Sequence, residues 1–292
     1  MNYAGQLSMT VFCGFSLSLV LTQGLAAGKE KRAAKPAFFA FDNGVGRGQW
    51  SPQQQADVLK ELGYAGIGYT GTDDLAERLR TFKARGLRVF SLYVHCYPGR
   101  EEAYPRELVE AMKQLEGTGT MLWLTVQGKS TDEQAVRVLR ELADAAARHG
   151  VRIALYPHFG NYVATTRDAV RLVKLADRKN LGVSINLCHE LRSGNASQLG
   201  DIVKEAGPYL FLASVNGADR EGGWDKLIQP LGRGEFDVRA FLTQLRDADY
   251  AGPIGLQCYN VKGDLKDNLT RSMKAWKELS PSLDPQQKGH TP

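Results

Sequence analysis

The feature that most constrains the fold is an alternation of apolar, β-rich runs with amphipathic segments, which begins at residue 37 and continues to about residue 280. The runs with strand character are, in chain order, Ala37–Phe41, Gly66–Tyr69, Arg88–Val94, Met121–Val126, Val151–Tyr156, Gly182–Leu187, Leu210–Val215 and Pro253–Leu256. Among the segments between them, Glu133–His149 repeats apolar residues at the spacing of a helix. Near-continuous apolar strands separated by helices predict a parallel sheet that is covered on both faces.

This repeating pattern predicts the fold class and the number of domains. A strand-helix unit that occurs eight times in a row is typical of a (β/α)8 TIM barrel, so we predict an α/β protein with a single barrel domain over residues 37–280. Glycines such as Gly63, Gly86 and Gly150 lie between a helix and the next strand, where a helix C-cap is expected. No GxGxxG follows a strand, which argues against a dinucleotide-binding fold.

The N-terminal segment predicts export. Residues 1–27 contain no charged side chain, and their apolar run ends in the small residues Gly24-Leu25-Ala26-Ala27. This pattern is typical of a signal peptide, so we expect a periplasmic or secreted protein. Because Met1–Ser8 lacks Lys and Arg, an uncleaved segment that anchors the protein to a membrane stays an alternative. Residues 28–36 then form a basic linker, and residues 281–292 are predicted to be a polar tail.

The net charge is concentrated in that linker. The chain of 292 residues has 37 Lys and Arg against 32 Asp and Glu, a net charge of +5. Lys29–Lys35 contributes +3 of this, from four basic residues and one acidic residue. The predicted barrel is therefore nearly neutral and shows no basic stripe of the kind that binds a phosphate backbone. We exclude nucleic acid as a partner.

Polar and titratable residues collect where the predicted strands end. In a (β/α)8 barrel the active site lies at the carboxyl ends of the strands. Three of the five histidines fall there, namely His95, His158 and His189. Histidine transfers protons near neutral pH and is a common metal ligand. We predict His158 and His189 as catalytic acid/base residues.

The other side chains at the strand ends are mostly neutral donors and acceptors, which suit a small, polyhydroxylated carbohydrate. We predict a substrate-binding set that consists of Asp42, Asn43, His95, Tyr156, Asn186, Asn216, Asp219 and Gln257. Aromatic side chains at or near the strand ends can supply a stacking face for a sugar ring; the candidates are Tyr156, Tyr162, Trp224 and Tyr259.

Four phrases within this pattern resemble the xylose isomerase-like barrel family. They are Gly150–His158 (GVRIALYPH), Asn180–His189 (NLGVSINLCH), Pro230–Asp237 (PLGRGEFD) and Gly252–Gln257 (GPIGLQ). Together with the eightfold pattern, the resemblance covers roughly residues 37–280. It implies a relationship to sugar isomerases, sugar epimerases and hydroxypyruvate isomerase.

The resemblance also implies a divalent metal held by Glu, Asp, His and Glu, with the two glutamates moving the substrate's proton. At the corresponding positions this chain has Tyr156, Asn186, Ser214 or Asn216, and Gln257. These side chains are neutral near pH 7, whereas a divalent cation in an oxygen-rich site needs anionic ligands. The cofactor therefore stays open.

If a metal such as Mn, Zn or Co does bind, the ligands that we predict are His158, His189 and Asp219. Two histidines and one carboxylate are a ligand set that several transition metals accept.

Two functions remain compatible with the sequence. The first is an exported isomerase- or epimerase-like enzyme, or a lyase that acts next to a carbonyl, with histidine-based chemistry on a carbohydrate or keto-sugar. The second is a non-catalytic sugar-binding barrel that has lost the family's metal site. The sequence leaves open the substrate's identity, whether it is phosphorylated, the reaction type and the oligomeric state.

Overall fold

The structure is a computed structural model that describes residue 1 and residues 35–284. Its strands are β1 Phe38–Phe41, β2 Gly66–Thr70, β3 Arg88–Cys96, β4 Met121–Val126, β5 Ile153–Leu155, β6 Leu181–Asn186, β7 Leu210–Val215 and β8 Ile254–Leu256. They form one closed barrel in chain order, in which every neighbouring pair is parallel and β8 pairs with β1. The predicted (β/α)8 barrel is confirmed.

Helices follow the strands and cover the outside of the barrel. The α-helices of the described residues are α1 Pro52–Leu62, α2 Leu75–Ala84, α3 Glu107–Gln114, α4 Asp132–Ala147, α5 Thr166–Ala176, α6 Leu187–Arg192, α7 Leu199–Ala206, α8 Trp224–Leu227, α9 Val238–Asp247 and α10 Leu265–Leu279. Helix α4 begins with a capping box in which Thr131 accepts from the backbone N–H of Gln134. Gly63 ends α1 in the left-handed conformation, as the C-cap prediction requires.

Two strands, β3 and β5, differ in length from their predictions by more than one residue, and both differences affect the carboxyl rim. Strand β3 stays paired with β4 as far as Cys96, so His95 lies within the strand and not after it. Strand β5 ends at Leu155, two residues before Pro157, which has no N–H to donate to a neighbouring strand. Tyr156 and His158 therefore follow the end of the strand, although the backbone N–H of Tyr156 still donates to the carbonyl oxygen of Leu124 in β4.

The inside of the barrel is packed with aromatic rings. Phe41, Trp123 and Tyr156 stack in that order, with ring centroids 4.3 Å and 3.9 Å apart. The ring of Phe41 fits because β2 and β8 have glycine beside it: a Cβ on Gly68 would lie 2.7 Å, and one on Gly255 2.5 Å, from the Phe41 ring. This stack closes the barrel interior below the carboxyl rim.

The described residues include the whole predicted barrel and a few residues on either side of it. The predicted signal peptide (residues 1–27) lies outside the described residues apart from residue 1, and most of the linker lies outside them as well. At the other end, Ser280–Leu283 forms a 3-10 turn with Leu283 buried, so the fold extends past residue 280. Within the described residues no helix is long and apolar enough to span a membrane.

Candidate functional site

A cavity of about 390 Å³ opens at the carboxyl ends of the strands. Of the predicted catalytic and substrate-binding residues, those that line it are Asp42, Asn43, Tyr156, His158, His189 and Gln257. They come from the ends of β1, β5, β6 and β8, which the closed barrel brings to one rim. Phe41 and Trp123 form part of its wall, so the polar groups lie against an aromatic surface.

His189 is held by protein contacts at both ring nitrogens. The backbone N–H of Phe159 donates to Nδ1 at 3.2 Å, which leaves the single proton of the neutral ring on Nε2. Nε2 lies 3.1 Å from the hydroxyl oxygen of Tyr156 and donates to it. Burial lowers the pKa of His189 to about 3, and the nearby His158 contributes to the shift. The ring is therefore neutral near pH 7, and neither nitrogen is free to act on a ligand.

His158 has the opposite arrangement. Its Nδ1 lies 3.0 Å from the carbonyl oxygen of Phe159 and donates to it, which leaves a lone pair on Nε2. Among the described residues Nε2 has no hydrogen-bond partner, and the ring lines the cavity. Burial lowers the pKa of His158, so the neutral form that can accept a proton is favoured near pH 7. The ring centroids of His158 and His189 are 4.2 Å apart.

Tyr156 is placed as a hydrogen-bond donor beside His158 in the cavity. Its ring stacks face to face on Trp123, and burial raises the pKa of its hydroxyl well above 10. Because the hydroxyl oxygen accepts from His189, its own proton points elsewhere. The side chain of Gln257 lies within hydrogen-bonding reach of it. Tyr156 therefore keeps its proton at neutral pH and can donate it to a ligand oxygen.

The amide of Gln257 has a fixed orientation. Its Oε1 accepts from Asn43 Nδ2 at 2.5 Å and from the backbone N–H groups of Cys258 and Tyr259 at 3.0 and 3.1 Å. These contacts turn Nε2 away from Asn43. The pair of amides joins the end of β8 to the turn that follows β1.

Asp42 is the buried carboxylate of the cavity. It accepts from the backbone N–H and the hydroxyl of Thr70, both at 2.9 Å. Arg47 lies 3.7 Å away and donates to the Thr70 hydroxyl at 2.7 Å. Burial raises the pKa of Asp42, while the contacts with Thr70 and Arg47 oppose that shift. Asp42 and Arg47 balance each other's charge.

Four members of the predicted substrate-binding set do not line this cavity. His95 lies in a neighbouring cavity, with Nδ1 2.9 Å from the Thr125 hydroxyl. Asn186 is fully buried; its Oδ1 accepts from Ser214, and its Nδ2 donates to the carbonyl oxygen of Pro157 at 3.2 Å.

The other two lie in the loop after β7. Asn216 Nδ2 donates to the carbonyl oxygens of Gly217 and Leu227 and ties that loop together. Asp219 Oδ1 accepts from the backbone N–H of Glu235 at 3.2 Å, and Lys226 lies 3.9 Å from its Oδ2. Both side chains therefore hold the loop's shape.

The residues present do not fit a divalent metal. The positions that the family resemblance assigns to ligands hold neutral side chains, of which Asn186 and Ser214 are bonded to each other. The set of His158, His189 and Asp219 is not assembled, because both nitrogens of His189 are engaged and Asp219 is used in its own loop. Among residues 35–284, no group of three or more His, Cys, Asp or Glu is placed to hold a metal ion.

Several lining residues lie outside the predicted substrate-binding set. Arg47 and Thr70 hold Asp42, and Trp224 and Tyr259 add aromatic surface to the lining. Arg47 follows β1 by six residues in a turn without periodicity, so no sequence pattern points to it. The aromatic candidates Trp224 and Tyr259 are recognisable by residue type. The remaining candidate, Tyr162, does not line the cavity and donates to Asp132 instead.

The closed eight-stranded barrel with a cavity at its carboxyl rim, lined by aromatic and polar side chains, defines the class of protein. The chain matches the family model described as xylose isomerase-like TIM barrel over residues 56–279. Since the match covers well over half of the sequence, the chain belongs to this family.

Curated relatives align over parts of the chain. The inosose isomerase of Bacillus licheniformis is 26% identical over 186 residues, which are 56% of this chain and 64% of that protein. The 3-dehydroshikimate dehydratase of Pseudomonas aeruginosa is 29% identical over 176 residues, 55% of this chain and 27% of that protein. The chain thus spans less than two thirds of the length of either relative.

Solved structures match over most of the chain at lower identity. A 3-keto-D-glucoside 4-epimerase from E. coli is 18% identical, with 84% of this chain and 99% of that chain covered and a TM-score of 0.67. A D-allulose 3-epimerase from Methylomonas sp., in complex with D-allulose, is 18% identical, with 85% and 99% covered and a TM-score of 0.67. At this identity the likeness establishes the common fold.

Proposed function

We propose that this protein is an exported enzyme that moves a proton next to the carbonyl group of a carbohydrate or keto-sugar, in an isomerisation, epimerisation or elimination. The observation that carries the proposal is the pairing of a free acceptor nitrogen, His158 Nε2, with the hydroxyl donor of Tyr156 on one cavity wall. The inosose isomerase and dehydratase relatives support a reaction of this type.

The two groups have complementary roles in such a reaction. Nε2 of His158 accepts the proton from the carbon next to the carbonyl, and the electron pair of that C–H bond moves toward the carbonyl oxygen. The Tyr156 hydroxyl donates a hydrogen bond to that oxygen, where negative charge develops. Since the Tyr156 pKa lies well above 10, the phenol donates without losing its proton to water.

His189 acts through Tyr156 and does not touch the reacting atoms. Its Nε2–H occupies one lone pair of the Tyr156 oxygen, which leaves the hydroxyl proton free to turn toward the ligand. We therefore assign His189 a positioning role and His158 the role of base. This assignment separates two histidines that the sequence alone does not distinguish.

The charge of the cavity favours a neutral substrate. Asp42 and Arg47 are its charged pair, and the two histidines are neutral near pH 7 because burial lowers their pKa values. A phosphorylated sugar needs an excess of cationic partners. Balanced charge together with aromatic walls suits a neutral, hydroxylated ring.

Exchange of the hydrogen next to the carbonyl tests the proposal, because this measurement does not require the product to be known. The protein is incubated in D₂O with D-fructose, D-allulose, 3-keto-D-glucose and 2-keto-myo-inositol, and deuterium incorporation next to the carbonyl is followed by NMR. We expect exchange with at least one sugar, and a loss of about 10²-fold or more in His158→Ala and in Tyr156→Phe. His149→Ala is the matched control, because His149 contacts Glu116 and lies outside the cavity.

The second candidate is a sugar-binding barrel without catalysis, and the neutral side chains at the four positions of the family's metal ligands favour it. The exchange experiment, together with a measurement of sugar binding, separates the two candidates. Saturation-transfer NMR that shows a bound sugar, unchanged binding in His158→Ala and no exchange in the wild type would establish the binding protein. Export is tested separately by the mass of the chain recovered outside a bacterial host, which is expected to lack residues 1–27.

A further inference from the structure

A second cavity, of about 420 Å³, lies beside the first on the carboxyl rim. It is formed by the end of β3, the loop that follows it and the turn after β2, and the proposed reaction does not use it. His95, a predicted substrate-binding residue, belongs to this cavity.

The two cavities adjoin each other. Thr70 and Tyr93 line both of them. Burial lowers the pKa of His95 in the second cavity, and His158 in the first lies near enough to lower it further. One ligand of more than one ring can therefore reach from the reacting groups of the first cavity into the second.

The lining of the second cavity suits another sugar ring. Tyr97 and Tyr104 offer aromatic surface, and the guanidinium of Arg100 lies 4.0 Å above the Tyr97 ring. Arg100 and Glu102 supply one positive and one negative group for hydrogen bonds to hydroxyls, so the cavity has no excess charge for a phosphate. Aromatic faces beside balanced polar groups are the chemistry of a neutral, hydroxylated ring.

We propose that the ligand is a neutral disaccharide, with the reacting ring beside His158 and Tyr156 and the second ring against Tyr97. This inference rests on the proposed function for the first cavity and adds the substrate class. The second cavity then selects for size, because a single sugar leaves it without contacts.

The inference is tested by measuring how sugars that share a glucose ring bind to the full chain. Dissociation constants for D-glucose, maltose, cellobiose and sucrose are measured by titration calorimetry and saturation-transfer NMR. We expect at least one disaccharide to bind about tenfold or more tightly than D-glucose. Tyr97→Ala should remove that advantage and leave D-glucose binding unchanged.

Tyr209→Ala is the matched control, since Tyr209 is also half-buried beside a cation, Lys174, but lies just before β7 at the amino ends of the strands. This variant should change neither the affinity for D-glucose nor the affinity for the disaccharide. Thr72→Trp, which fills the second cavity from its edge, is a second variant that should act like Tyr97→Ala.

The outcomes separate this inference from the proposed function. Equal affinity for D-glucose and the three disaccharides, or a disaccharide advantage that survives both Tyr97→Ala and Thr72→Trp, overturns the second subsite and leaves the first cavity's function intact. If D-glucose and the disaccharides all fail to bind, and no sugar exchanges deuterium, both proposals are wrong. Preferential binding of 4-nitrophenyl glucoside over every disaccharide would contradict a sugar as the second ring.

Discussion

The two histidines of the first cavity differ in which ring nitrogens are free. His189 accepts from Phe159 and donates to Tyr156, whereas His158 keeps the lone pair of Nε2 open to the cavity. The difference arises from one segment of backbone, because the N–H of Phe159 serves one ring and its carbonyl serves the other. A residue between the two histidines therefore determines which of them can act as a base.

The pH dependence of stability follows from the burial of His189. Its pKa is about 3 in the folded protein and about 6.5 in the unfolded chain. Between these values the unfolded chain binds a proton that the folded protein does not, so the free energy of unfolding falls as the pH falls through that window. We expect this group to lower stability by about 2 kcal/mol between pH 7 and pH 5.

Denaturant unfolding of the wild type and of His189→Gln at pH 7 and pH 5 measures this contribution. The wild type should lose about 2 kcal/mol more than the variant over that interval. Burial raises the pKa of Asp42, which gives a contribution of opposite sign, but that carboxylate is present in both proteins and cancels in the difference. If the free energies of unfolding of the two proteins change by the same amount between pH 7 and pH 5, the pKa of His189 is not lowered by folding.

At the scale of secondary structure, the strands were predictable and the loops were not. The apolar runs place all eight strands within about two residues of their observed ends, since burial on both faces leaves a continuous signal. Arg47 lies in the turn after β1 and Trp224 begins the four-residue helix α8. Both segments are too short to show periodicity, and the place of these residues in the cavity follows from the folded path of the chain. Asn216 and Asp219 were on the predicted rim, yet their hydrogen bonds fold the β7 loop onto itself.

The close packing around the glycines of the barrel strands leads to a prediction about stability. A Cβ on Gly255 of β8 would lie 2.5 Å from the Phe41 ring and 2.8 Å from Phe39, and both rings are buried. We expect Gly255→Ala to lower the free energy of unfolding by about 1–3 kcal/mol through overpacking. Thermal and denaturant unfolding, followed by circular dichroism, measure the change.

Gly200→Ala is the control for that substitution. Gly200 lies in α7, and a Cβ there would come no closer than 3.5 Å to the flexible side chain of Gln244. Alanine favours a helix over glycine by up to about 1 kcal/mol, so this variant should be as stable as the wild type or more stable. Equal effects of the two substitutions would contradict packing against Phe41 as the cause.

At the scale of the whole molecule, closure of the barrel determines which strand ends meet. Strands in chain order around one ring bring the ends of β5 and β6 side by side, which is why Tyr156 and His189 lie within hydrogen-bonding distance of each other. The sequence does not determine how far each side chain reaches inward. Asn186 also ends a strand of the barrel, but its side chain is buried in hydrogen bonds with Ser214 and Pro157 and does not line the cavity.

The side chains around the rim predict that added divalent metals do not stabilise the protein. A divalent cation needs anionic or free imidazole ligands, and here the side chains of Asn186, Ser214 and Gln257 are neutral and bonded to protein. We expect MnCl₂, CoCl₂ and ZnCl₂ to produce no saturable rise in the unfolding temperature, and EDTA to leave the deuterium exchange unchanged. Differential scanning fluorimetry and the exchange assay measure the two effects.

The double variant Asn186→Asp, Gln257→Glu tests whether the lack of carboxylates at these positions is the reason why the wild type does not respond to divalent metals. Two buried carboxylates should lower the unfolding temperature without metal, because burial penalises their charge. MnCl₂ at 100 times its dissociation constant would then stabilise the variant by about 2.7 kcal/mol. A saturable metal response in the wild type that His158→Ala removes would instead place a metal beside His158. The open nitrogen of His158 would then be a ligand and not the base, and the proton would have to move through another group.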